Sequence, residues 1–92
     1  MKLKFSKSAI KFLEKLDAKN ANKIRERLAT LLHSIEENGI IPFTELDLKK
    51  LKGDWDGFFR LRIGKIRVIF ALDANENELL VYEIDFRGDV YK

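Results

Sequence analysis

Three arginines define the chemistry this chain can offer. Arg60, Arg62 and Arg67 lie in the run Phe59-Arg60-Leu61-Arg62-Ile63-Gly64-Lys65-Ile66-Arg67-Val68-Ile69-Phe70, where Gly64-Lys65 has the form of a two-residue hairpin turn. Pairing outward from that turn sets Ile63 opposite Ile66, Arg62 opposite Arg67, Leu61 opposite Val68 and Phe59 opposite Phe70. Paired residues point to the same side of a sheet, and successive residues alternate. One face therefore collects Phe59, Leu61, Ile63, Ile66, Val68 and Phe70, a finished core surface. The other carries Arg60, Arg62 and Arg67, with two arginines directly opposed. Like charges across a ladder are destabilising by some tenths of a kcal/mol. Folding alone would not choose this pair, so the pattern points to an anionic ligand.

A later strand supplies acids to the same face. Leu79 to Phe86 reads as extended, with Leu80, Tyr82, Ile84 and Phe86 expected in the core, because a one-residue slip would bury Glu83 and Asp85. Val81, Glu83 and Asp85 are then expected on the arginine face, joined by Arg87 if the strand continues. The plain alternative is that Arg62 and Arg67 pair with Glu83 and Asp85 in a surface network of little energetic weight.

The remaining elements position this hairpin. Lys2 to Phe5 suits a short edge strand, and Ser6 or Ser8 can cap a helix carrying Ala9, Ile10, Phe12, Leu13 and Leu16 at helical spacing. Asp17 is a good cap for a second helix, whose stripe is Ala21, Ile24, Leu28, Leu31, Leu32 and Ile35. Gly39 stops that helix and Pro42 prevents its resumption. His33, the single histidine, is expected to be structural or on the surface. The stretch from Phe43 to Asp56 reads as irregular, with Leu51-Lys52-Gly53 as a turn; Asp73 to Glu78 is a polar turn. Trp55, beside Phe58 and Phe59, is expected to plug the core rather than to stack on a base. The order β-α-α-β-β-β predicts an α+β fold, with an antiparallel helix hairpin packed on one face of a small antiparallel sheet.

Composition bounds the rest. The chain has 92 residues, expected to form one domain over 1–92, with 46% hydrophobic and 36% charged residues and no cysteine. Disulfides and thiolate metal sites are excluded. Nothing resembles an apolar leader or a membrane span, so an intracellular, cytoplasmic protein without membrane contacts is expected. The net charge of +3 hides a block pattern. Residues 1–27 carry nine Lys/Arg against three acids, and residues 49–67 carry seven against two. Such clusters can be the electrostatic footprint of a nucleic-acid binder, although lysines on helix faces often only solvate them.

The arginine hairpin, the preceding Leu51-Lys52-Gly53 and the terminal Arg87-Gly88-Asp89-Val90-Tyr91 together resemble the RelE/ParE superfamily of toxins from type II toxin–antitoxin systems. Phe12-Leu13-Glu14-Lys15-Leu16-Asp17 is similar to the family's first helix and its exit. The resemblance spans nearly the whole chain in the family's order, and it implies the RelE-like microbial RNase fold. Its RelE branch implies an mRNA interferase, a ribosome-dependent endoribonuclease that inhibits translation, with ribosome and mRNA as partners and a cognate RelB-like antitoxin. No cofactor or metal is implied. On this resemblance Arg67, Arg87 and Tyr91 are the catalytic positions, and Arg60, Arg62 and Lys52 hold RNA phosphates.

The implied reaction is attack of a ribose 2′-hydroxyl on the adjacent phosphate, leaving a cyclic phosphate and a 5′-hydroxyl. Guanidinium groups suit the charge that develops on the phosphate oxygens, but arginine is a poor base at its ordinary pKa. Glu83, Asp85 and Tyr91 are the candidate proton acceptors, beside the bound RNA itself. No histidine accompanies Tyr91, a departure from several branches. Two alternatives stand beside the nuclease: a ParE-type inhibitor of DNA gyrase, and a degenerate toxin that only binds its antitoxin.

Overall fold

The computed structural model describes residues 1–86. Its elements are β1 (Lys2–Phe5), α1 (Lys7–Lys15), α2 (Ala18–Asn38), β2 (Leu48–Lys50), a 3-10 turn (Gly53–Trp55), β3 (Phe58–Ile63), β4 (Ile66–Asp73) and β5 (Glu78–Phe86). Both expected caps form. The Ser6 hydroxyl accepts the Ala9 N–H, and the Asp17 carboxylate accepts the Asn20 N–H. Gly39 closes α2 in the left-handed conformation, φ 64°, where glycine carries no Cβ penalty. None of the described helices is long and apolar enough to cross a membrane.

The five strands form one mixed sheet in the order β1-β5-β4-β3-β2. The first strand lies parallel to β5, and every other neighbour is antiparallel. Two features extend the β-α-α-β-β-β expectation. The stretch read as irregular contributes β2 as a fifth strand, pairing Leu48 with Leu61 and Lys49 with Arg60. The sheet is also mixed rather than wholly antiparallel: β1 pairs in parallel with β5 at one edge, and the helix hairpin carries the chain from there to β2 at the opposite edge.

The helices cover one face. Ala9, Ile24, Leu28 and Leu31 bury against Leu61, Ile63, Ile66, Val68, Phe70, Leu79, Val81 and Ile84, with Leu46 and Leu48 closing the β2 end. The hairpin register is the one that Gly64-Lys65 predicts, including Arg62 opposite Arg67, and Gly64 has φ 59°. Ile10, assigned to the first helix's apolar face, is exposed instead.

β5 departs from simple alternation. Its ladder with β4 runs from Asp73 opposite Glu78 to Phe70 opposite Val81, then resumes with Ile69 opposite Glu83. Tyr82 is thus an extra residue, a bulge that resets the pleat. The expectation that Leu80 and Tyr82 enter the core is overturned, since both are exposed. Val81, expected on the arginine face, is fully buried in the core. The reason lies in the sequence: strict alternation could bury Leu79 and Val81 or Ile84 and Phe86, but not both pairs. One extra residue turns both halves toward the helices, with Ile84 buried in the core, while Phe86, expected there too, stays 39% exposed at its edge with its ring 5.2 Å from Phe12. The Ser6 N–H donates to the Val81 carbonyl and the Ser6 hydroxyl to that of Tyr82, so the cap of α1 also fixes the bulge.

Candidate nucleic-acid interface

The face away from the helices is organised by the ladder into rows. One row runs Lys49, Arg60, Ile69, Glu83 across β2, β3, β4 and β5. The next, toward the hairpin turn, runs Arg62, Arg67, Asp85. On the other side lies a row of Phe58, Ala71, Leu80 and Lys4. Ile69 is only 3% exposed although no helix covers it, so long charged side chains shield an apolar floor.

Arg67 is held by Asp85. Its Nε donates to Asp85 Oδ1 at 3.1 Å and its Nη2 to Oδ2 at 2.9 Å, a bidentate fork on a half-buried pair. Arg60 and Arg62 share a different carboxylate. Asp47 Oδ1 lies 3.7 Å from Arg60 Nη2, and Asp47 Oδ2 lies 3.9 Å from Arg62 Nε. The Asp47 backbone sits at φ 51°, tolerable for aspartate, and its carbonyl accepts the Arg62 N–H at 3.2 Å. Asp47 is a residue that sequence reasoning missed, because it lies in the stretch read as irregular.

The site residues expected from sequence divide into three groups. Arg60, Arg62, Arg67, Glu83 and Asp85 converge on this face. Asp85 is engaged by Arg67 through both oxygens, whereas Glu83 stands in the adjoining row beside Ile69. Lys52 is exposed just before the 3-10 turn, at the end of β2 away from the Arg62–Arg67 pair, and lines a shallow groove with Lys49, Lys50 and Leu51. Arg87 and Tyr91 lie outside the described residues. Trp55 is not a core plug. It packs edge-on against Phe58 and Tyr82, with ring centroids 5.3 and 5.7 Å away, on the arginine side of the sheet. Histidine 33 is on the surface of α2. Among the described residues no group of His, Asp or Glu could hold a metal ion.

The face thus offers fixed guanidinium groups, two carboxylates that orient them, and a third carboxylate in reach of the same row. That combination suits binding of a phosphodiester. The family model of the ParE toxin of type II toxin–antitoxin systems, parDE, matches residues 3–91. A protein of Methanocaldococcus jannaschii named RelE1 and assigned as a toxin is 33% identical over 86 residues, 94% of this chain and 89% of that protein. Among solved structures, the archaeal RelE–RelB complex from Pyrococcus horikoshii OT3 is similar with a TM-score of 0.68 at 24% identity, covering 95% of this chain and 94% of that one. The isolated E. coli RelE toxin gives a TM-score of 0.71 at 16% identity, over 92% and 82% of the two chains. These two likenesses speak for the fold: two helices on a five-stranded mixed sheet.

Proposed function

The chain belongs to the RelE/ParE superfamily of type II toxins, and on that premise we propose that it is a ribosome-dependent endoribonuclease that cuts messenger RNA. The observation that carries the reading is the convergence of Arg60, Arg62 and Arg67 on one open face, with Arg67 held in a fork by Asp85. A ribose 2′-oxygen attacks the neighbouring phosphorus, the bond to the 5′-oxygen breaks, and a 2′,3′-cyclic phosphate and a 5′-hydroxyl result. The 2′-hydroxyl proton passes to an acceptor, for which Glu83 is better placed than Asp85, whose two oxygens are occupied by Arg67. A proton from solvent water completes the leaving 5′-hydroxyl.

Each arginine then has a part. Arg67, fixed in orientation, stabilises the charge growing on the phosphate oxygens without reorganising during the reaction. Arg60 and Arg62 grip adjacent phosphates, and Lys52 extends the basic track along the groove beside β2. Arg87 and Tyr91 complete the set by the sequence resemblance. The relatives solved with RelB support an antitoxin as the natural partner of this chain in the cytoplasm, where ribosomes and mRNA are met.

The description of the matching family model favours a second reading, a ParE-type inhibitor of DNA gyrase. One pair of assays separates the two. Primer extension on ribosome-bound mRNA should show new 5′ ends when the purified chain is added, while gyrase supercoiling proceeds unchanged. Blocked supercoiling with intact mRNA would replace the nuclease by the gyrase inhibitor; no effect in either assay would leave a toxin that only binds its antitoxin.

A further inference from the structure

We propose that Trp55, Phe58 and Tyr82 form a stacking platform for an unpaired nucleobase of the RNA whose phosphates the arginines hold. The inference rests on the RNA reading above and adds a base-binding subsite to it. Three rings meet on the arginine side of the sheet with centroids 5.3, 5.5 and 5.7 Å apart and interplanar angles of 89°, 64° and 72°. All contacts are edge to face, so no ring of the trio is stacked on another. Tyr82 is 45% exposed. It reaches this face only because it is the bulged residue of β5, and the Ser6 hydroxyl holds its carbonyl there. Small Ala71, opposite Phe58, separates the two rings and lets them touch across β4.

The neighbourhood argues for a nucleic-acid occupant. Phe58 and Arg60 are two residues apart on one strand, hence about 7 Å from each other on the same face. One nucleotide spans that interval, with its phosphate at the arginine row and its base at the rings. Lys49, Lys50 and Lys52 line a shallow groove a few residues before Trp55 in the chain, which places cationic side chains beside the acidic Asp54 and Asp56 that flank it. Basic side chains interleaved with aromatic rings are what single-stranded RNA uses, since every base has a π-face and stacking tolerates sequence.

Trp55 is the only tryptophan of the chain, so its emission reports on the platform directly. The full chain is titrated at low salt with a single-stranded hexaribonucleotide and with an abasic chain carrying the same number of phosphates. The base-bearing strand should quench Trp55 and bind roughly five- to a hundredfold more tightly, the range alanine substitution gives for one stacked base. Tyr82→Leu, at an exposed position, should keep the wild-type melting curve and lose most of that preference, and Tyr82→Phe should retain it. Equal binding of the two strands without quenching would overturn the platform, as would full preference in a folded Tyr82→Leu or its loss in Tyr82→Phe. If Tyr82→Leu weakens only antitoxin binding, the rings are a protein-docking face and the inference falls. Quenching without cleavage on ribosomes would sink the nuclease reading and leave the platform, whereas cleavage by a wild-type chain that binds both strands equally and without quenching would do the reverse.

Discussion

The helix-covered face of the sheet and its open face are assembled by opposite choices. On the covered face each position is settled by apolar burial, and Phe70, Leu61, Val68, Leu79 and Val81 are sealed completely. On the open face two arginines stand directly opposed, and three acids are spaced around them. Those acids do not make the face stable to any large extent, because half-exposed ion pairs contribute little. They fix where the guanidinium groups point. A folded chain needs the first face, whereas the second makes sense only with an anion in view.

Substitutions on the two faces should therefore differ in kind. The largest loss of stability is expected from Phe70→Ala, which removes a fully buried ring stacked 5.4 Å from Phe59. It should lower the unfolding free energy by about 3–5 kcal/mol in a denaturant titration. A loss below about 1 kcal/mol would mean that the covered face is not the core. Next comes the joint between the faces. Ser6→Ala removes both the cap of α1 and the donor to the bulge carbonyl, and should cost about 1–2 kcal/mol. Hydrogen exchange should quicken at the start of α1 and beside Tyr82 together; faster exchange at the helix alone would show that the bulge does not depend on Ser6.

The smallest effect is a pH dependence. Hydrogen bonds from the Asn20 side chain and then its backbone N–H hold the Asp17 carboxyl below its usual range. The folded state thus binds the proton less readily than the unfolded chain, so the cap's contribution is complete above about pH 4 and is lost as pH falls through the lowered value. Asp17→Asn should flatten this acid limb of the stability curve. An unchanged limb would assign it to other carboxylates.

Much of this contrast is legible in the bare sequence, and the gaps have specific causes. The hairpin register follows from Gly64-Lys65, the caps Ser6 and Asp17 from side-chain chemistry, and the stop at Gly39 from its lack of a Cβ, because each depends on residues close in the chain. The bulge at Tyr82 is long-range: it exists because β5 must match the core on both sides of Ile69 and Phe70. Missing it sent Leu80 and Tyr82 to the wrong face and concealed the aromatic cluster. Asp47 was hidden for a similar reason. A three-residue edge strand such as β2 has no periodicity to read, and its place beside β3 is decided by Leu46 and Leu48 entering the core.

The most direct test of the open face as a phosphate-cleaving site is the cleavage rate of ribosome-bound mRNA by wild type and Arg67→Ala, measured beside a thermal melt of each. Arg67→Ala should cleave about a hundred- to a thousandfold more slowly. It should remain folded, destabilised by no more than about 1 kcal/mol, because the ion pair with Asp85 is partly exposed. Equal rates for the two folded proteins would contradict the assignment of this face as the site of cleavage.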